Sequence, residues 1–289
     1  MMNYSLSPSQ TRPILKWAGG KSKLLPSLIP LFPSKARRYI EPFMGGGAVF
    51  FGLNFEGQSL LNDFNHELIC LYEVVRDHPE LLMKSLDKLS NHYSEEYFYH
   101  LRSQNLKSKI ESAARTIFLN KCGYNGLYRQ NSKGEFNVPF GKRLKCPALY
   151  KASNLLNASQ SLQNTRLTSI DFESLIDQAK KGDFIYCDPP YEPLSKTSSF
   201  NTYQGAGFTQ KDQIRLKESC LRAQARGAWS VISNSSAEFI KDLYQDCQVE
   251  TIKAKRSINS KGQNRGEIDE LVIVMKPHDV TAHENTEND

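Results

Sequence analysis

Two short segments carry chemistry on residue type and spacing alone. Asp188-Pro-Pro-Tyr191 follows Phe184-Ile-Tyr-Cys187, a run of strand-forming residues. Two prolines straight after a strand stiffen an extended turn and remove two amide donors. With Pro189 and Pro190 fixing the chain, the Asp188 carboxylate and the Pro189 carbonyl are left as outward-facing acceptors. An amino group on an aromatic base offers two N–H donors to such a pair, and Tyr191 supplies a flat face on which the base stacks. The bland alternative is a rigid loop after a strand.

The second segment is Glu41-Pro-Phe-Met-Gly-Gly-Gly-Ala-Val-Phe50, which follows a strand and opens a helix. Its glycines allow a tight turn and a close approach of backbone amides to a ligand. Asn62-Asp63 then ends the next strand, where a carboxylate can accept hydrogen bonds from both hydroxyls of a ribose. A strand–helix turn with a helix-capping Asp is the alternative. A nicotinamide site fits less well, because the third glycine of its fingerprint is replaced by Phe50.

A third segment, Lys16-Trp-Ala-Gly-Gly-Lys-Ser-Lys23, imitates the end of a phosphate-binding loop. That pattern needs a glycine at position 15, which is leucine, and no buried strand precedes it. An ATPase site is therefore rejected. The tryptophan among glycines and lysines suits the edge of a cofactor pocket, or else a helix N-terminus with surface lysines.

Positioning these segments requires strands. Runs of β-formers recur at Arg38–Glu41, Ser59–Asn62, Arg166–Ile170, Phe184–Asp188, Trp229–Asn234, Gln248–Ala254 and Glu270–Met275. Helical spacing separates several of them, as in Phe172–Ala179 and Lys211–Ala225, the latter opened by a Thr209/Asp212 capping box. This alternation predicts an open α/β sheet with a parallel centre, and the last two runs suit an antiparallel pair. From about His66 to Leu149 the rhythm changes to consecutive helices at Leu68–Val75, Glu80–Leu89, Glu95–Gln104 and Ile110–Cys122, then a turn-rich stretch, Gly123–Gly141. It reads as a helical domain inserted after the second strand.

Composition adds bounds. The chain has 289 residues, 39% of them hydrophobic, enough for a sizeable core and against wholesale disorder. Six cysteines form no Cys-x-x-Cys pair and no zinc-like group with histidine, so no metal site is expected. No apolar run approaches the roughly 20 residues of a membrane helix, and the N-terminus lacks a signal-peptide centre. A soluble, intracellular protein is expected. The net charge of +6 permits a polyanionic partner. Its distribution is more telling: Lys121–Lys145 holds six Lys/Arg and one Glu, interleaved with Tyr124, Tyr128, Phe136 and Phe140. Basic groups track phosphates, and arginine reads guanine edges. A second basic run, Lys253–Arg265, suits backbone contacts. Solvated loops are the alternative for both.

The order of these motifs, with Asn125-Gly-Leu between them, resembles the Dam-type (D12 class) DNA adenine-N6 methyltransferases from about Ile14 to Lys276. Gly123–Arg129 and Lys133–Gly141 resemble the target-recognition segment of members that methylate GATC, and Arg256-Ser-Ile and Asp269-Glu-Leu resemble the family's C-terminal strands. The resemblance implies a seven-stranded Rossmann-like methyltransferase sheet. Residues 1–65 and 150–289 would form the S-adenosylmethionine-binding catalytic domain, and 66–149 an inserted, mostly helical recognition domain. Trp17, Lys21, Asp63 and Asp188 would lie at the S-adenosylmethionine site with Phe43 and Gly45 beside it. Asp188, Pro189, Pro190 and Tyr191 would hold a flipped adenine. Lys16, Tyr124, Asn125, Leu127, Arg129 and Pro139 would contact double-stranded DNA, Tyr124 as a wedge and Arg129 at a guanine edge. A cytoplasmic prokaryotic enzyme is implied, solitary or paired with a restriction nuclease, with no obligate protein partner. A DNA-binding regulator without catalysis, or an RNA or protein N-methyltransferase, are the competing readings.

Overall fold

The computed structural model describes residues 11–131, 133–194, 207–255 and 267–277. After a short helix α1 (Leu25–Leu28), the chain alternates β1 (Arg38–Glu41), α2 (Ala48–Leu53) and β2 (Gln58–Asn62). Four helices follow: α3 (His66–Asp77), α4 (Pro79–Ser90), α5 (Glu95–Ser103) and α6 (Lys109–Cys122). A loop with two isolated bridges, Gly123 to Phe140 and Gln130 to Phe136, leads to α7 (Ala152–Leu162). The alternation then resumes with β3 (Thr165–Thr168), α8 (Phe172–Ile176), β4 (Phe184–Cys187), α9 (Gln210–Ala225), β5 (Trp229–Ser235), α10 (Glu238–Leu243), β6 (Gln248–Lys255) and β7 (Glu267–Met275).

All seven expected strand runs enter one sheet, in the order β3-β2-β1-β4-β5-β7-β6. The first five strands are parallel, and β7 runs antiparallel between β5 and β6. The central strands are apolar on both faces because helices cover both. Tyr39, Leu61, Phe184, Tyr186, Val231 and Val272 face one core, which continues without a break among α3 to α7. Ile40, Leu60, Ile185, Cys187, Ile232 and Ile273 face the other, under α8 to α10. The helical stretch therefore shares its core with the sheet.

Helix starts follow local chemistry. Asn65, Ser94 and Ser108 each accept from a backbone N–H of the helix they precede, and Thr209 with Asp212 forms the expected reciprocal box. The helix after β3 ends at Ile176, shorter than the spacing suggested. In the second basic run only Lys253 and Lys255 fall within β6. Positions 256–265, with the Arg256-Ser-Ile segment, lie outside the described residues, as does the tail from position 278. Among the described residues no helix is long and apolar enough to cross a membrane.

Candidate active site and recognition surface

The strand order reverses between β1 and its neighbour β4, and a parallel sheet opens a crevice at its carboxyl edge at such a point. A cavity of about 560 Å³ lies there. It is lined by every residue expected at the cofactor and the base: Trp17, Lys21, Phe43, Gly45, Asp63, Asp188, Pro189, Pro190 and Tyr191.

The glycine loop is shaped largely by Trp17. Gly45 sits at φ +48°, and a Cβ on it would fall 2.6 Å from the indole Nε1. The absence of a side chain thus lets the indole lie against the loop, a use of glycine that spacing did not suggest. The loop is tied from both sides, because Tyr72 donates to the Gly45 carbonyl at 2.9 Å and the Gly45 N–H donates to Asp63 at 2.8 Å. The other Asp63 oxygen accepts from the Asn65 N–H at 2.9 Å. Asp63 therefore holds its own loop as well as facing the cavity, and only its remaining lone pairs are open to a ligand.

Lys21 is buried, with 3% of its side chain exposed, and its ammonium lies 2.8 Å from Asp188 Oδ1 and 3.9 Å from Glu270. It also donates to the Gly19 carbonyl at 2.7 Å and lies 4.8 Å from the centroid of the Tyr191 ring. One Asp188 oxygen is thus already paired, where the sequence suggested a carboxylate turned wholly outward. Asp188 keeps 23% of its side chain exposed. Burial raises its carboxyl pKa, and the Lys21 charge opposes that rise.

Asp188 belongs to a row. Asp63, Glu41, Asp188 and Glu270 come from four strands or their ends and share the residue parity that faces the first core. Burial raises the carboxyl pKa of each, Glu41 well above the ordinary range despite a hydrogen bond from Tyr39 at 2.9 Å. Lys21 is the cation set against this row.

The turn after Asp188 is clamped by two buried amides. Gln213 donates to the Pro190 carbonyl at 3.0 Å, and Asn234 accepts from the Glu192 N–H at 3.3 Å while donating to Gln213 at 3.0 Å. The Ser235 hydroxyl donates to the Glu192 carbonyl at 2.6 Å. The Pro189 carbonyl, by contrast, accepts no hydrogen bond among the described residues. Two acceptors, one carboxylate oxygen and one carbonyl, are therefore available beside an aromatic ring.

Sequence reasoning placed Phe43 beside the cofactor but missed the rest of the apolar wall. Phe43, Phe172 and Phe208 form an aromatic trio with centroids 5.4–5.5 Å apart, and Ile170 completes the surface. The end of a third parallel strand was the available signal, since Ile170 and Phe172 follow β3. Glu41, Glu270, Gln213 and Asn234 were also missed as parts of the site.

The residues expected at DNA lie on the segment before α1 and on the loop after α6, which Asn120 ties together. Tyr124 is 55% exposed, and its N–H donates to the carbonyl of exposed Pro139 at 2.8 Å. Asn125 is exposed in a left-handed conformation at φ 56°. Buried Asn120 accepts from the Lys16 N–H and donates to the carbonyls of Lys16 and Gly126, each at 3.0 Å. A Cβ on Gly126, at φ +67°, would strike the Lys16 side chain. Leu127 packs on the core. Arg129 is anchored by Asn137, through its Nε to the side-chain oxygen and an Nη to the backbone carbonyl at 3.1 Å.

Residues 17–258 match the model of the D12 class N6 adenine-specific DNA methyltransferase family. The chain is 40% identical over 270 residues to Type II methyltransferase M1.LlaDCHI of Lactococcus lactis subsp. cremoris, covering 91% of this chain and 94% of that one. It is 39% identical over 287 residues to Type II methyltransferase M.MjaIII of Methanocaldococcus jannaschii, covering 92% and 99%. To the DNA adenine methylase of Escherichia coli strain K12 it is 35% identical over 272 residues, covering 93% and 96%.

Proposed function

The chain belongs to the D12 class of N6 adenine-specific DNA methyltransferases, and on that premise we propose that the cavity methylates an adenine rotated out of duplex DNA within GATC, in the cytoplasm of a prokaryotic cell. S-Adenosylmethionine is the methyl donor, supplying an electrophilic methyl group on a sulfonium sulfur. The residues fit such a group. A glycine loop, an apolar aromatic wall and a row of carboxylates suit, in turn, a close backbone approach, an adenine ring and a cation.

Adenine N6 is a poor nucleophile because its lone pair is delocalised into the ring. The free Asp188 oxygen and the Pro189 carbonyl would accept its two N–H bonds, drawing the nitrogen toward tetrahedral geometry. Their dipoles would also stabilise positive charge as it develops there, an effect made strong by a preorganised, poorly solvated site. Tyr191 would stack on the base, which offsets part of the few kcal/mol that unstacking costs. Asp63 would bind the ribose hydroxyls with its open lone pairs, and Trp17 would close the cavity edge. Tyr124 would fill the space the adenine leaves, and Arg129 would read a guanine.

The observation that carries this reading is the pair of unfilled acceptors at Asp188 and Pro189 beside the Tyr191 ring, within one cavity. Incubating the protein with duplex DNA and methyl-labelled donor, then mapping the modified bases, tests it. N6-methyladenine within GATC is the expected product. Label on cytosine, or adenine methylation unrelated to GATC, would overturn the corresponding part.

A further inference from the structure

Five parallel strands deliver their carboxyl ends to the catalytic edge. The antiparallel strand β7 brings its amino-terminal part there instead, with Glu270 opposite Ser235 of β5 and Ile252 of β6. Glu270 has the parity of Val272 and Val274, which face the first core, and Asp188 has that of Tyr186, which faces it too. Glu270 is 7% exposed, and among the described residues its Oε1 accepts no hydrogen bond of good geometry. That oxygen lies 3.9 Å from the Lys21 ammonium, on which Asp188 Oδ1 also sits at 2.8 Å.

A buried carboxylate without a full partner costs stability, so its presence beside a lysine that already has one calls for a reason. An acceptor wholly neutralised by one ammonium is a weaker acceptor toward a third group. A second carboxylate drawing on the same ammonium lessens that neutralisation. We propose that Glu270 is a positioning residue for methyl transfer: it shares the Lys21 ammonium with Asp188 and so keeps the free Asp188 oxygen a strong acceptor for the adenine amine. The inference rests on the reading of Asp188 as the amine acceptor.

Among the described residues the charged and titratable groups around the pair are few. Lys21 faces both carboxylates, Tyr191 lies on the turn beside them, Tyr186 lies beneath on β4, and Glu41 approaches Asp188 from β1. Burial raises the Glu270 carboxyl pKa, Lys21 opposes the rise, and Asp188 adds to it, as two carboxylates around one cation require.

The test follows the Asp188 carboxyl carbon by NMR during a pH titration of the cofactor-free protein labelled at aspartate. Its resonance is assigned by its loss in Asp188→Asn. In Glu270→Gln the Asp188 midpoint is expected to fall by roughly half a pH unit or more, because a nearby negative charge is removed. The acid limb of kcat on duplex DNA should move in the same direction. A midpoint and an acid limb that coincide with those of the unaltered protein would overturn the proposal. Should Glu270→Gln fail to fold, Glu270→Asp retains the charge at longer reach; a smaller shift in the same direction supports the coupling, and none overturns it. An unaltered protein that transfers no methyl group to DNA would refute the proposed function, whereas the NMR midpoints would still judge the coupling of Glu270 to Asp188.

Discussion

Trp17 and Tyr128 stack with ring centroids 5.0 Å apart and planes inclined by 27°. Trp17 belongs to the cavity, and Tyr128 belongs to the basic loop. The Tyr128 hydroxyl also accepts from Asn65 at 3.0 Å and donates to Glu67 at 3.2 Å. Asn65 in turn donates its N–H to Asp63. The two halves of the proposed chemistry thus meet through one ring pair and one short polar chain. Tyr128→Leu should weaken binding of the methyl donor by about threefold to tenfold, the worth of a stacked pair, and Tyr128→Phe by less. Calorimetric titration measures both, and equal affinities would remove Tyr128 from the cavity's support.

Among the described residues the buried Tyr191 hydroxyl makes no hydrogen bond of good geometry. Tyr191→Phe should therefore retain kcat within about threefold, whereas Tyr191→Ala should lose roughly tenfold or more, since stacking of a base on an aromatic ring is worth about 1–3 kcal/mol. Asp188→Ala should lower kcat by at least about a hundredfold through loss of the preorganised acceptor. Gel-shift binding of duplex DNA should persist in each variant. Single-turnover methylation separates these outcomes, and an impaired Tyr191→Phe would show that the hydroxyl acts on the Asp188 and Glu270 carboxylates beside it.

The carboxylate row predicts a pH dependence with a definite sign. Glu41, Asp63, Asp188 and Glu270 all have raised carboxyl pKa values from burial, so the folded protein holds these protons more tightly than the unfolded chain. Their contribution favours folding at acid pH and is lost as pH climbs from the unfolded values near ~4 through the folded ones. A cationic ligand offsets that loss, because it stabilises the ionised row. The rise in Tm caused by the sulfonium donor should therefore grow with pH. The rise caused by its uncharged thioether product should grow less. Parallel curves for the two ligands would show that the row does not sense the sulfonium charge.

Asn137 holds Arg129 by its side-chain oxygen and its backbone carbonyl. Arg129→Ala should relax base choice at one guanine position, at a cost of about 1–3 kcal/mol in discrimination. Asn137→Ala removes the side-chain anchor while leaving the backbone carbonyl, and should relax the same position less. Competition between substrates altered at single positions measures this, and an unchanged preference in Arg129→Ala would take it out of the readout.

Asn120 is fully buried and makes three backbone hydrogen bonds. Asn120→Ala should destabilise the protein by about 3 kcal/mol, as several buried backbone groups lose their partners together. Denaturant unfolding would reveal it, and a loss below about 1 kcal/mol would mean that the Lys16 and Gly126 groups find substitutes.

Much of this is legible in the amino-acid sequence. Strand periodicity located all seven strands and the antiparallel close, because buried parallel strands leave dense apolar runs that helical spacing separates. The motifs named the cavity's main residues, since turn chemistry at strand ends is local. What escaped depends on register and approach. Glu270 reaches the site only because β7 is reversed. Gln213 looks like any polar helical residue until α9 sets it under Pro190. The pairing of Lys21 with Asp188 joins positions that only the strand order brings together, and the grip of Asn137 on Arg129 depends on how the loop folds back.

The three bonds of Asn120 have a practical corollary for redesigning sequence preference. The exposed tip at Tyr124 and Asn125 is fastened to the segment before the first helix, so it is not a detachable module. A loop transplanted from a relative without its own counterparts of Lys16 and Asn120 would arrive untethered and dock at the wrong angle. A chimaera that exchanges all three pieces together should keep its aim.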